Sequence, residues 1–464
     1  MGTVTPTPPT PPTAPAAPAA APSSPLDLVR TRGYIVLLIL GALVGVPVAV
    51  FAYFFLELVG RLQQWTFSSL PGGLGFHGAP PWWPLPMLAL CGLGVGLSLR
   101  LLPGPGGHIP AQGFKVGGLA PTIELPGIFM AALITLGFGA VLGPEAPLIA
   151  MGGGLAILIV HLIKRGAPDM AVLVIGAAGS FAAVSTLLIS PLAGAFLLLE
   201  AAGIGGGLAS VMMAPGLLAA GIGTLVFTGL NGWTGFGTFA LAVPDIPKAG
   251  TPRAGEFAWA IAVGLLAAVV GTVIRRLGTF VQPFAEKHRL VVTPVLGLVI
   301  GGGAVLFGEV SGKSNSLVLF SGQSALAPLI EHAATYTVGA LVLLLVCKGI
   351  AYGVSLAGFR GGPTFPGMFL GAVGGIALSH LPGLPMIVGV GMGIGAMCTV
   401  MLGGLPLTSV LLTLLFLQAD SLDIVSLVIV AVVVAYVASV RLVPFLKLTP
   451  DPAPGGGATP AATS

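Results

Sequence analysis

The chain has 464 residues, 55% of them apolar and only 7% charged, with a mean hydropathy of +1.05. Soluble globular domains carry about 25% Asp, Glu, Lys and Arg, so this composition excludes a soluble fold and points to a polytopic membrane protein. The formal net charge of +4 is small for the length; it reads as loop Lys and Arg biased to one side of a bilayer, not as a nucleic-acid surface.

Residues 1–30 form a Pro/Ala-rich tail with no charge before Asp27 and no basic segment leading an apolar core, so it reads as disordered and not as a signal peptide. Arg30 and Arg32 precede the first apolar run, Tyr34–Leu58, which is long enough to span. A loop over Gly60–Pro84 places Trp65, Trp82 and Trp83 as interfacial aromatics, and a second span covers Leu85–Leu102. Pro103–Gly113 holds too many glycines and prolines for a helix interior; it is an exposed turn or irregular backbone lining a cavity. Further apolar spans are Ile123–Leu142, Ala146–Ile163, Met170–Ile189, the short Leu192–Leu199, and Leu208–Leu230. Lys164-Arg165 and Arg275-Arg276 close their spans with paired positive charge and are expected on the cytoplasmic side. A polar, Gly-rich connector, about 231–256, separates a first half (about 31–230) from a second (about 257–445). The second half has apolar runs near Phe257–Ile274, Val291–Phe307, Tyr336–Leu356, Phe365–Leu381, Met386–Leu402, Pro406–Leu417 and Leu422–Val440. Several are too short or too interrupted to cross a bilayer, as in transporters with discontinuous helices. Residues 446–464 are a second Pro/Gly/Ala tail. Cys91, Cys347 and Cys398 lie in apolar segments without CxxC spacing, so neither a disulfide framework nor a metal site is expected.

The halves resemble each other. Gly176–Leu199 lies on Gly391–Leu414 without a gap, matching Pro191-Leu192 to Pro406-Leu407, and PLIAMGG (Pro147–Gly153) parallels PGMFLGA (Pro366–Ala372). Such internal symmetry points to duplicated repeats with a site where they meet; spacing alone leaves open whether the repeats are parallel or inverted.

The most informative residue is Glu145, in GPEAP (Gly143–Pro147). Gly143-Pro144 cannot continue an arriving helix, and a proline is welcome in the first turn of a new one. Glu145 is thereby placed at a helix N-terminus, whose unpaired N–H groups attract negative charge. The carboxylate can occupy that anion site itself or leave it to a free anion. In water a capping acid would suffice as an explanation; in hydrocarbon an ionisable group costs about 2.5–3.5 kcal/mol and usually has a function.

Four stretches occur in order: GGHIP (Gly106–Pro110), GPEAP (Gly143–Pro147), PLAGAFLLLE (Pro191–Glu200) and GGPTFPGMFLG (Gly361–Gly371). Together they resemble the CLC family of chloride channels and chloride/proton antiporters, over about residues 34–445. The resemblance implies an all-α integral membrane protein with two inverted repeats of tilted, partly broken transmembrane helices. It also implies a homodimer, with a pore in each subunit, in the cell membrane. By that likeness Glu145 matches the gating glutamate, and the anion-binding positions are Gly106, Gly107, His108, Ile109, Pro110, Gly143, Ala146, Gly362, Pro363, Thr364 and Phe365. Several positions depart from the family pattern. Gly107 stands where a serine is usual, Pro144 where an arginine is, and Pro363 has no N–H to give; the tyrosine lining the family pore has no match after Tyr436. These departures imply a site with fewer donors.

In the antiporters an inner glutamate follows the proline of the PLAG motif by ten residues; that position here is Ala201, and Glu200 is its neighbour. The expected activity is therefore passive conduction of chloride or a similar anion, gated by Glu145, with chloride/proton antiport as the alternative. In the alternative, Glu145 and Glu200 would form the proton pathway. Glu200 reads equally as a relay acid or as an acid at a water-facing helix end, and His108 as a pH-sensitive cation or a loop residue reaching water or a carbonyl. Lys348 and Arg360 are expected to snorkel or to face an aqueous vestibule, and Glu124 has a candidate partner in Lys115. No HExxH, P-loop or nucleophile elbow is present, so an enzyme is not expected, nor are a cofactor, a metal or a nucleic-acid partner.

Overall fold

The computed structural model describes residues 27, 29–114, 120–203, 206–236, 251–418 and 423–445. The two expected tails, apart from the last few residues of the first, lie outside the described residues, as do Lys115 and the middle of the connector.

Among the described residues the fold is helical. In chain order the helices are α1 Arg32–Gly73, α2 Pro84–Leu101, α3 Leu125–Gly137, α4 Glu145–Ile163, α5 Asp169–Leu188, α6 Pro191–Ala202 and α7 Gly206–Thr234. They continue with α8 Ala254–Lys287, α9 Arg289–Ser311, α10 Gln323–Glu331, α11 Val338–Gly358, α12 Thr364–Ser379, α13 Met386–Met401, α14 Pro406–Leu417 and α15 Val425–Phe445. Nine are long and apolar enough to cross a membrane, while α3, α6, α12, α13 and α14 are shorter apolar helices. Helix starts follow local chemistry: Thr31, Ser190 and Thr337 each accept a backbone N–H of the first turn of α1, α6 and α11.

The packing is duplicated. In the first half α4 packs on α5 and α1 on α7; in the second α12 packs on α13 and α8 on α15. Equivalent elements of the two halves also meet each other, α2 against α9 and α6 against α14. The α2–α9 contact fixes the relation between halves. Gly92 lies against Thr293, Gly96 against Arg289, Gly297 against Leu88 and Gly301 against Pro84, so equivalent helices run in opposite directions. The repeats are inverted, as the family resemblance implied, and glycines on both helices let the backbones touch.

Three expectations change. The first helix does not stop at Leu58: it continues through a π-helical turn, Trp65–Ser69, to Gly73. Trp83 is buried, not interfacial, and its indole N–H donates to the Thr66 carbonyl at 2.9 Å, satisfying a group on the irregular turn. Ile123–Leu142 is not one span, because α3 ends at Gly137 and Gly139 takes φ +97°. Helix α10 has no counterpart in the sequence reading; it is short and polar at both ends, which hides it from a hydropathy scan.

A Cβ built on Gly297 would fall 2.0 Å from the Leu88 carbonyl oxygen, whereas one built on Gly302 meets nothing within 4 Å. Gly297→Ala is expected to lower thermal stability in detergent by about 1–3 kcal/mol through overpacking. Gly302→Ala should be neutral or stabilising by up to about 1 kcal/mol, from helix propensity. Melting curves of the two variants check the contrast.

Candidate functional site: an acid between two helix N-termini

Two chain breaks, one in each half, build the site. Gly143 and Gly362 exchange both backbone hydrogen bonds, Gly143 N–H to the Gly362 carbonyl at 2.8 Å and the reverse at 2.6 Å. Each glycine is followed by a proline of nearly the same conformation, φ −82° and ψ −4° at Pro144, φ −91° and ψ −7° at Pro363. Each proline caps a helix, α4 or α12, so the helix N-termini converge on one point. Glu145 and Thr364 are the equivalent first residues.

Glu145 is fully buried there. Its Oε1 accepts the backbone N–H of Phe365, in the first turn of α12, at 3.0 Å. Oε2 accepts no hydrogen bond from the described residues. The carboxylate instead rests on the two glycines, since a Cβ built on either Gly143 or Gly362 would lie 2.1 Å from Oε2. The Ala146 N–H and the buried Thr364 side chain border the same space. An acid on one half thus occupies the positive end of a helix from the other half.

A residue that the sequence reading passed over completes the setting. Tyr352, on α11 and fully buried, donates its hydroxyl to the Pro363 carbonyl at 2.7 Å. Its signal in the sequence was an aromatic hydroxyl inside an apolar span, ahead of GGPTFP, where a buried O–H requires a partner. One turn on, Ser355 accepts the Val141 N–H at 3.1 Å and so ties the segment before Gly143 to α11.

Arg360, two residues before Gly362, ties down the backbone just ahead of the GGHIP stretch. Gly104, Gly106, Gly107 and Gly113 all have positive φ, giving an irregular loop. Arg360 Nε donates to the Pro105 carbonyl at 3.0 Å, and its backbone N–H to Thr135 Oγ1 at 3.2 Å. His108 hydrogen-bonds the Gly113 carbonyl through Nε2, so it is the loop residue that reaches a carbonyl. Pro110 is buried and Ile109 half-buried at the loop's end.

Lys348 and Arg360 do not snorkel or face a vestibule. Arg360 is 3% exposed, and Lys348 is fully buried. Lys348 Nζ lies within hydrogen-bond distance of four consecutive carbonyls, Leu317 at 2.9 Å, Val318 at 3.2 Å, Leu319 at 3.0 Å and Phe320 at 3.2 Å, which share its N–H donors. It also lies 4.5 Å from the Phe369 ring centre. The reason is local: Phe320 adopts φ +57°, and the turn it closes aims its carbonyls inward, where only a donor can satisfy them. Glu200 is separate from Glu145. Its two oxygens accept the backbone N–H groups of Leu407 at 3.0 Å and Thr408 at 2.7 Å, capping α14 from the end of α6.

The model of the voltage-gated chloride channel family matches residues 110–440. The chain belongs to this family. Proteins of Escherichia coli O1:K1 and Escherichia fergusonii named as YfeO ion-transport proteins are each 28% identical to this CLC chain, over 77% of its length and 82% of theirs. A slow cyanobacterial Cl⁻/H⁺ antiporter shares its fold with a TM-score of 0.69 at 22% identity, covering 89% of this chain and 98% of its own. A CLC-type fluoride/proton antiporter aligns with a TM-score of 0.64 at 19% identity, over 87% and 95%. This CLC chain is a multi-pass membrane protein of an anion-transport family.

Tyr352→Phe keeps the shape of the ring but removes one of two donors to the buried Pro363 carbonyl, which keeps the Gly367 N–H at 3.3 Å. Loss of about 0.5–1.5 kcal/mol of stability is expected. A Tyr352→Phe protein that melts like the wild type in detergent would remove Tyr352 from the description of this site.

Proposed function

We propose that Glu145 gates an anion pathway and that the chain conducts chloride, or a similar small anion, passively across the cell membrane. One observation carries the reading: a buried carboxylate sits where two helix N-termini from opposite halves converge, in contact with the Phe365 N–H. When the carboxylate leaves that seat, an anion takes its place. The donors are the backbone N–H groups of Ala146, Thr364 and Phe365, in a space left open by Gly143 and Gly362, whose own N–H groups bond one another, with the Gly106–Pro110 loop (Gly106, Gly107, His108, Ile109, Pro110) on the approach. Pro363 contributes shape and no donor. The transport unit is residues 31–445, made of repeats about 31–230 and 257–445 joined by the connector.

Passive conduction is supported by Glu200, whose carboxylate is committed to the N-terminus of α14, and by alanine at position 201. The second reading, chloride/proton exchange, has equal support from the two solved structures of similar fold, both of proton antiporters. In that reading Glu145 carries the proton, with Glu200 as the other acid. For assembly, α6 and α14 pack together and leave Leu192 and Leu407 exposed, which supports a homodimer through these helices and the adjoining 201–210 stretch, where residues 204–205 lie outside the described residues.

Purified protein in liposomes tests the proposal. Protonation removes the charge that holds Glu145 on its seat, so wild-type chloride flux should rise as pH falls. Glu145→Gln should give high flux with little pH dependence; an unchanged rate and pH profile would sink the gate. Under opposed chloride and pH gradients, passive conduction gives a reversal potential set by chloride alone. Uphill proton movement that disappears in Glu145→Gln would establish exchange instead.

A further inference from the structure

Helices α8 and α11 run side by side, Gly278 against Leu356 and Gly353 against Leu277, but they part over the preceding turns. The gap is a groove of about 420 Å³. Its walls include Val269 and Val273 on α8 and Val342, Val346 and Ile350 on α11, all well exposed, with Val273 at 56% and Val346 at 52%. Ile274 and Gly349 make its floor. Glycine keeps the groove open, for a Cβ there would meet only Ile274, at ordinary contact distance (3.5 Å). No charged residue lines the groove.

A basic residue stands at one end. Val269, Val273 and Arg276 follow one another at helical spacing and form one stripe of α8. The uncharged stretch 257–274 of α8 ends at the Arg275-Arg276 pair, and a guanidinium at the end of such a stretch belongs with the lipid headgroups and not in hydrocarbon. Its neighbour Arg275 turns the other way and donates to the Val400 carbonyl at 3.3 Å. No hydrogen bond or ion pair among the described residues engages the Arg276 guanidinium. A second groove, of about 350 Å³, lies between α1, α3 and α4 and is lined by Phe51, Phe129 and Met151 among others. The basic residue farther along α1, Arg61, is held by Glu57 at 2.7 Å, so that groove has no cation to offer.

We propose that the α8–α11 groove binds one anionic phospholipid, with an acyl chain along Val273, Val346 and Ile350 and the headgroup phosphate on Arg276. Apolar walls facing lipid suit the chain, and an unengaged guanidinium suits a phosphate bidentately. The site is remote from Glu145 in sequence and does not depend on how the anion pathway works.

The test reconstitutes the full-length protein in vesicles of phosphatidylethanolamine and phosphatidylglycerol. It then re-extracts the protein in mild detergent and counts retained lipid by native mass spectrometry. Wild type should retain phosphatidylglycerol above its share of the vesicle. Arg276→Gln should reduce that excess about fivefold, the attraction expected of one basic residue at an anionic surface. Val346→Trp, which fills the groove, should remove it. Arg165→Gln, at the end of another span, should leave it unchanged. The proposal is overturned if wild type shows no excess, or if Arg165→Gln lowers it as much as Arg276→Gln does. It is also overturned if Val346→Trp changes the oligomeric mass and not the lipid count, since a second copy would then cover the groove. Should Val346→Trp fail to fold, the two arginine variants still decide.

Discussion

The structure hinges on the pair of hydrogen bonds between Gly143 and Gly362. Each half breaks its helical run at a Gly-Pro step, and a break inside hydrocarbon leaves backbone groups that water cannot satisfy. The two breaks satisfy one another. Because the bonds are reciprocal and the following prolines share one conformation, α4 and α12 start from a common point in opposite halves. The same glycines accept the weight of the Glu145 carboxylate, which any larger residue at either position would displace. Backbone continuity, helix direction and the seat of the acid therefore rest on one contact.

Inversion and duplication supply the frame, and a single substitution between the halves supplies its chemistry. Glu145 and Thr364 occupy equivalent first turns, yet one carries a carboxylate and the other a neutral hydroxyl. Two acids facing each other at this distance would repel, and two hydroxyls would leave the helix ends without a negative partner. Asymmetry at one residue pair, on an otherwise symmetric backbone, makes a site with one titratable occupant. Tyr352 and Arg360, both from the second half, add to the asymmetry by fixing the Pro363 carbonyl and the GGHIP loop.

Much of this was legible before any coordinates. Apolar run lengths located most of the helices, and the Gly143-Pro144 step predicted a helix starting at Glu145, where α4 begins. The offset between Pro191 and Pro406 marked the repeats, and α6 and α14 do pack together. What stayed hidden has physical causes. Helix α10 carries too little hydropathy to register, and the π-turn at Trp65–Ser69 breaks no compositional rule. Lys348 and Arg360 were read as water-facing because a sequence shows a side chain's charge but not the carbonyls that will surround it. The Tyr352 hydroxyl in an apolar span signals that a partner is needed, but its neighbours do not identify that partner as the Pro363 carbonyl.

The Lys348 cage has a consequence for how such a protein is handled and engineered. Four backbone oxygens converging on one point, with an aromatic face beside them, make a coordination shell of the kind that other folds fill with a dissolved monovalent cation. Here the occupant is covalently part of α11. At the turn over 317–320 dialysis has nothing to extract, and exchange of buffer salts has nothing to replace. The donor that closes this turn is carried by the chain itself, so its four carbonyls draw on no cation from the medium.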